Sequence, residues 1–310
     1  RVHRRQRQMC IRDRIYSLQT LIMVKLLETD VTTDEVKNWH GINILHFQGS
    51  SCSQKLRIFL NEKKIDWKSY HIDLVKGDNF SKWFLGINPR GVVPVLVDDG
   101  EVHIESNDII QHLDKKFESN FLWPENLNEK IKEFLEEENE IHFDLRNLTM
   151  KFVAPTFLMK KKEKDIKNFE SASNFVEGLE DKEKNMQLEY HKNFIENNGV
   201  TEESVLNSIN VFKKKLTKID KKLSENKFII SEHITIVDIA WFVYLRRLET
   251  VGFSFKKNYP NLYKWFEELK KNKNFLKETS LPIPLIIISS IYKIYLNLTN
   301  QSLRTFLNKK

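Results

Sequence analysis

The sequence predicts two successive layers, an α/β layer in the first part of the chain and an all-helical region after it. Two observations lead there. Between residues 41 and 122, short apolar or alternating runs interleave with helical periodicity, in the order strand, helix, strand, short helix, strand, strand, helix. From Lys130 onward the alternation disappears and apolar residues recur every three or four positions.

Each element has its own warrant. Residues 42–47 (INILHF) form an apolar run that fits a buried strand. Residues 52–64 place Leu56, Phe59 and Leu60 on one helical face and Lys55, Arg57, Glu62 and Lys63 elsewhere. WKSYHIDL, from Trp67, alternates like a half-buried strand, and DNFSKWFLGIN reads as short and helical or irregular. VPVLVDD and EVHIE are strands joined at Gly100 by a tight Asp-Gly turn, and SNDIIQHLDKKF closes the unit as a helix. Two parallel-type strand–helix units, a hairpin and a helix make a layer of the thioredoxin type.

WPENLNE, residues 123–129, carries turn formers and a proline and reads as a linker. The helical domain is expected over 130–279, with helices over 130–151, 202–224 and 235–252. Within it, residues 160–199 are highly charged and read as a solvated helix pair or a mobile insertion. Residues 280–310 are an extra tail. Its apolar stretch, LPIPLIIISSIYKIYLNL, is broken by Pro282, Pro284, Lys293 and Asn297. It is expected to fold back on the domain as a helix, with an interfacial amphipathic helix touching membrane as the less favoured alternative.

Composition narrows the function classes. Lys and Arg number 50 against 43 Asp and Glu, a formal charge of +7. The first 14 residues hold six Arg and one Asp, so the remainder carries only +2. No basic stripe interleaved with aromatics is left, which argues against nucleic acid. Residues 1–40 are expected to be a partly artefactual leader resembling translated adapter read-through. Met23 is the expected start, and an Arg-rich transit peptide is the alternative. The cysteines are Cys10 and Cys52, which points to a reducing compartment, the cytoplasm. Cys and His show no zinc spacing, so no metal is expected, and no run of 18 apolar residues suggests a membrane span.

Three stretches carry candidate chemistry. In GSSCSQKLR, Ser50 lies where a strand gives way to a helix. It either caps that helix or donates its hydroxyl to a thiolate held at the helix N-terminus. In NPRGVVPVLVDDG, Pro94 opens a strand. It is either an edge-strand proline or part of a cis Val93–Pro94 bond that leaves the Val93 backbone to pair with an extended peptide. In ESNDIIQHLD, Ser106 is placed to cap a helix and Glu105 precedes it. Together they are either a cap with a solvated Glu or a receptor for an α-amino-acid head, a carboxylate for the ammonium and a helix N-terminus for the carboxylate.

In this order and spacing, SSCSQKLR, NPRGVVPVL and ESNDIIQHLD resemble the glutathione S-transferase superfamily, and SSCSQKLR is similar to its zeta-class motif. The resemblance implies a thioredoxin-like glutathione-binding domain and an all-helical C-terminal domain. It implies that Ser50 activates the glutathione thiol, with Cys52 in a supporting role. Val93 and Pro94 would dock the cysteinyl backbone, and Glu105 and Ser106 the γ-glutamyl head. Many relatives have Lys where this chain has Val92, so Arg90 or Lys76 becomes the candidate for the glycine carboxylate. The second partner implied is a small electrophile, attacked or isomerised, in a detoxifying transferase working as a homodimer. A non-catalytic interaction module of the same fold, membrane-associated through its tail, is the alternative. SEHITIVDIAWF adds Thr235 and Asp238 as the capping box of a core helix, flanked by Ile234 and Ile239.

Overall fold

A computed structural model describes residues 25–118 and 121–308. The expected read-through, Cys10 and Met23 lie outside the described residues. The first layer contains β1 (Ile42–His46), α1 (Ser51–Glu62), β2 (Lys68–His71), α2 (Lys82–Leu85), β3 (Val95–Asp98), β4 (Glu101–His103) and α3 (Ser106–Lys116). Its sheet has the order β2-β1-β3-β4. β1 pairs parallel with β2, Asn43 opposite Lys68, and antiparallel with β3, Ile44 opposite Leu96. The β3–β4 hairpin turns at Asp99 and Gly100, both at positive φ (49° and 86°), the geometry an Asp-Gly pair supplies.

All five positions of β1 are buried and all four of β3, as befits central strands covered on both faces. β2, at the sheet edge, exposes Lys68, Ser69 and His71. α1 buries every residue from Ser53 to Leu60, including Lys55 and Arg57, because the helical domain covers the side that faces away from the sheet.

The boundary expected at residue 40 falls earlier. Residues 25–40 belong to this layer rather than to a leader: the Leu26 N–H bonds the Val102 carbonyl at 2.9 Å, and Leu26, Val31 and Val36 are buried with Leu45, Val95 and Val97. Apolar residues spaced five apart in a charged segment carry no clean period, which is why the contribution was not legible.

The second layer runs α4 (Asn128–Glu140), α5 (His142–Phe152), α6 (Thr156–Met159), α7 (Glu163–Ser171), β5 (Phe175–Val176), β6 (Leu179–Glu180), α8 (Lys182–Glu196), α9 (Glu202–Glu225), α10 (Ile236–Val251), α11 (Pro260–Leu269) and α12 (Lys273–Glu278). The helix expected over 130–151 is divided at Ile141. α10 is buried nearly all round, and Asp238 closes the capping box on the Thr235 N–H at 2.8 Å.

The charged segment is more than a solvated pair. α7, the β5–β6 hairpin and α8 lie against the first layer. Phe169 packs on Phe80 with ring centroids 5.0 Å apart, and Val176 joins the core of the first layer. The Asn168 amide donates to the Phe80 carbonyl at 3.2 Å.

The tail forms α13 (Ile283–Leu298) and α14 (Leu303–Asn308). Leu296, Leu303 and Phe306 are buried, with Phe306 edge-on to Phe152. The opposite side of α13 exposes Ile283, Ile287, Ile291, Ile294 and Leu298. No helix among the described residues is long and apolar enough to cross a membrane.

Candidate active site

β1 ends beside the N-terminus of α1, and Ser50 occupies the junction. Its hydroxyl accepts from the Ser53 N–H at 3.3 Å and lies 3.5 Å from the Val93 carbonyl. Ser50 is the cap of α1, and the same hydroxyl faces the Val93 carbonyl. Val93–Pro94 is cis, and Val93 lies just before the β3 ladder.

The loop that delivers Val93 is fixed by two buried asparagines. The Asn88 amide donates to the Val92 carbonyl at 2.9 Å and its oxygen accepts from the Arg90 N–H at 3.0 Å. The Asn79 amide donates to the Gly91 carbonyl at 2.6 Å. Gly91 has φ +62°, and a Cβ there would stand 3.0 Å from Phe80 and 3.3 Å from Phe169. Only glycine meets both demands.

The third stretch stands next to the first. Cys52, in the first turn of α1, has Ser106 within hydrogen-bonding reach. Burial pushes the Cys52 thiol above its ordinary value. Glu138 and Glu105 push the same way, while Lys55 and Ser106 act against them. A thiol so placed stays protonated and is a poor nucleophile. Ser106 is buried and is the first residue of α3 rather than its cap. Glu105 takes the cap position at φ +66°, and α3 has no side-chain cap. Arg90 holds the Glu105 carboxylate, Nη1 to Oε1 2.5 Å, so the residue at the cap position faces Arg90 instead of capping α3.

Arg90 differs from its expected role. Its Nε and Nη2 donate to the two oxygens of Asp181, at 2.8 and 3.0 Å, while Nη1 holds Glu105. Burial works against the charge, but Glu105 and Asp181 outweigh it and keep the guanidinium above its ordinary pKa. With carboxylates on both sides it is committed to orienting Glu105 and is not available to a glycine carboxylate. Lys76 is largely exposed, and among the described residues its salt bridge is to Asp73, at 3.5 Å.

Sequence reasoning missed Asp181. It caps α8, accepting from the Glu183 and Lys184 N–H groups at 3.3 Å, and it joins the inserted segment to the site. Its one local signal was an Asp opening a Lys-Glu-Lys helix start. The helical domain adds a buried pair, Lys55 Nζ to Glu138 at 2.9 Å, with Lys55 also donating to Asn107 at 2.7 Å. Arg247 of α10 donates to the Gly49 carbonyl, and burial brings its pKa down to about 10.

Comparison with known proteins gives the arrangement its family. The model of the glutathione S-transferase N-terminal domain matches residues 49–116, and that of the C-terminal domain matches residues 185–272. A zeta-class glutathione S-transferase of Euphorbia esula is 35% identical over 96 residues, covering 31% of this chain and 43% of the relative. The chain thus spans less than half of that protein's length in the match. The glutathione S-transferase hmp2 of Hypomyces subiculosus is 24% identical over 241 residues, 76% of this chain and 98% of the relative. The fold is similar to that of human glutathione S-transferase T1-1, with TM-score 0.60, 17% identity, and 86% and 98% of the two chains covered. Both domains are found in the family's order, on the thioredoxin-like and helical layers already described, and the chain belongs to the glutathione S-transferase superfamily.

Proposed function

We propose that the protein is a glutathione transferase that activates the thiol of glutathione for attack on, or isomerisation of, a small electrophile. The observation that carries this reading is a convergence. The Ser50 hydroxyl, the Val93 backbone, the Glu105 carboxylate and the uncapped start of α3 lie at one end of the sheet, just after β1, before β3 and after β4. A γ-glutamyl head offers an ammonium and a carboxylate together. Glu105 is the acceptor for the first, and the Ser106 and Asn107 N–H groups at the start of α3 are donors for the second. The cysteinyl part then lies along Val93 with its sulfur near Ser50. There the hydroxyl and the α1 N-terminus favour the thiolate as the proton leaves. Cys52, with its raised pKa, supports the helix start and takes no part as a nucleophile. A cytoplasmic homodimer with a detoxifying role extends this reading by analogy with the family.

The test is thiol consumption with glutathione and a panel of electrophiles, run with wild type and Ser50→Ala. Losing one donor to the thiolate should cut turnover roughly 10²-fold, with retention on immobilised glutathione nearly unchanged. A protein that binds glutathione but consumes no thiol with any electrophile would be an interaction module. Activity abolished by Cys52→Ala but not by Ser50→Ala would make it a thiol–disulfide enzyme.

A further inference from the structure

The segment between α5 and α9 brings together cations that the chemistry above does not use. Arg146, on α5, sits between two rings, its guanidinium carbon 4.9 Å from the centroid of Phe143 and 5.1 Å from that of Tyr190. One of its five N–H donors goes to the Gln187 side chain. Lys161 lies 5.4 Å over the Phe80 ring and donates to the Leu74 carbonyl. Among the described residues neither cation has a carboxylate within salt-bridge distance. The Tyr190 hydroxyl is shielded from solvent and has no hydrogen-bond partner. His191 bridges the two cations, packing on Tyr190 at 5.8 Å and on Phe80 at 5.4 Å.

Half-buried cations without a carboxylate partner, beside a shielded hydroxyl without a hydrogen-bond partner, leave donor capacity unused. They become complementary once a planar anion enters. We propose that Arg146, Lys161 and the Tyr190 hydroxyl form the recognition site for a carboxylate on an aromatic electrophile, the second substrate of the transferase reading on which this inference rests. Arg146 supplies a fork matched to a carboxylate, and Tyr190 a neutral donor.

Position supports the assignment. α8, which carries Tyr190, begins at Asp181, and Asp181 is tied through Arg90 to Glu105. Nine residues of helix place Tyr190 about 13 Å beyond that anchor. Tyr244, in the wall between the layers, lies within electrostatic reach of both Cys52 and Arg146. Protonation agrees with the roles. Burial pushes the Tyr190 phenol up to about 12, so it remains a donor, although Arg146 opposes the shift. Burial, Arg146 and Lys161 bring His191 down to about 3, so it stays neutral and adds no charge of its own. Burial brings Lys161 down to about 8, with Arg146 acting the same way and Asp165 against it.

The experiment compares 4-chloro-3-nitrobenzoate with the matching neutral amide. In both, the glutathione thiolate forms the carbon–sulfur bond as the carbon–chlorine bond breaks, chloride leaves, and the thiol proton goes to solvent. Turnover and equilibrium binding are measured for the full chain and for Arg146→Gln and Tyr190→Phe. Wild type should prefer the benzoate. Arg146→Gln should raise its KM and Kd roughly 10- to 100-fold, the range of one charge-assisted hydrogen bond. Tyr190→Phe keeps the ring and should raise them about 3- to 10-fold. The amide should change less than about 3-fold in either variant. Equal binding of benzoate and amide by wild type, or no selective loss in Tyr190→Phe, overturns the assignment. Turnover of the amide in that case leaves the transferase reading standing. Selective benzoate binding without turnover would sustain the carboxylate site and overturn its assignment to the reacting electrophile, while the electrophile panel decides the transferase reading separately.

Discussion

Replacing Asp238 with alanine removes more than a helix cap. Its Oδ2 accepts from the Thr235 N–H at 2.8 Å and the Thr235 hydroxyl at 3.1 Å. Its Oδ1 accepts from the Ile229 N–H at 3.0 Å and the Trp265 indole at 3.1 Å. The hydroxyl can rotate to another acceptor, but the three N–H groups cannot. Each buried donor left unpaired costs about 1–3 kcal/mol. A water entering the vacated volume would recover part of that sum. The expected loss is about 4 kcal/mol, against about 1 for a cap alone. Urea unfolding followed by far-UV circular dichroism, with the slope unchanged, measures it. Adding Trp265→Phe removes one stranded donor, so the double variant should lose about 1 kcal/mol less than the two single losses summed. A loss near 1 kcal/mol for Asp238→Ala would refute the reasoning, since the bonds to Ile229 and Trp265 would then contribute nothing.

Glu105→Ala should raise the glutathione dissociation constant roughly 10- to 100-fold by calorimetric titration, with Glu105→Gln between it and wild type; unchanged affinity in folded variants would place the ligand head elsewhere. Acid should destabilise the fold. Burial holds His46 and His103 at about 4 and His191 at about 3, below the ordinary 6.5, so their stability is present above that value and is lost as pH falls toward 4. Burial raises Asp238 to about 6, which acts oppositely, adding stability as pH falls from 6 toward 3.8. The three histidines act in the same direction and dominate the window from pH 6.5 to 5, so the fold loses stability as the pH falls through it. A urea midpoint that stays level from pH 7 to pH 5 would contradict this.

The parts of the candidate site that were legible are those written in consecutive residues. Ser50 at a strand–helix junction, Pro94 opening a strand and Glu105 beside Ser106 each carry a local signature. What escaped is long-range pairing. Arg90 and Asp181 are 91 residues apart, and nothing near either one names the other. Without Asp181, Arg90 reads as a free cation and Ser106 as a cap. The charged segment misled because its polar surface dominates the composition, while the residues that dock it, Phe169, Val176 and Asp181, are few and scattered. The division at Ile141 is a single-residue departure from helical angles, which the periodicity runs through.

The helix that begins at Ser50 is completed by residues far along the chain. Arg57 is held by Glu278 at 2.7 Å and Asn61 by Asn274 at 2.9 Å, across separations of 221 and 213 residues, while Lys55 waits for Glu138. Synthesis at 5–20 residues per second leaves Arg57 without its partner for roughly 10–45 s. Over that interval the nascent first layer presents, on one helix, a guanidinium that its own sheet does not neutralise, beside apolar side chains meant for the helical domain. The two layers therefore mature together, and α1, from the Gly49 carbonyl held by Arg247 to Asn61 held by Asn274, becomes fixed only when the last quarter of the chain has arrived.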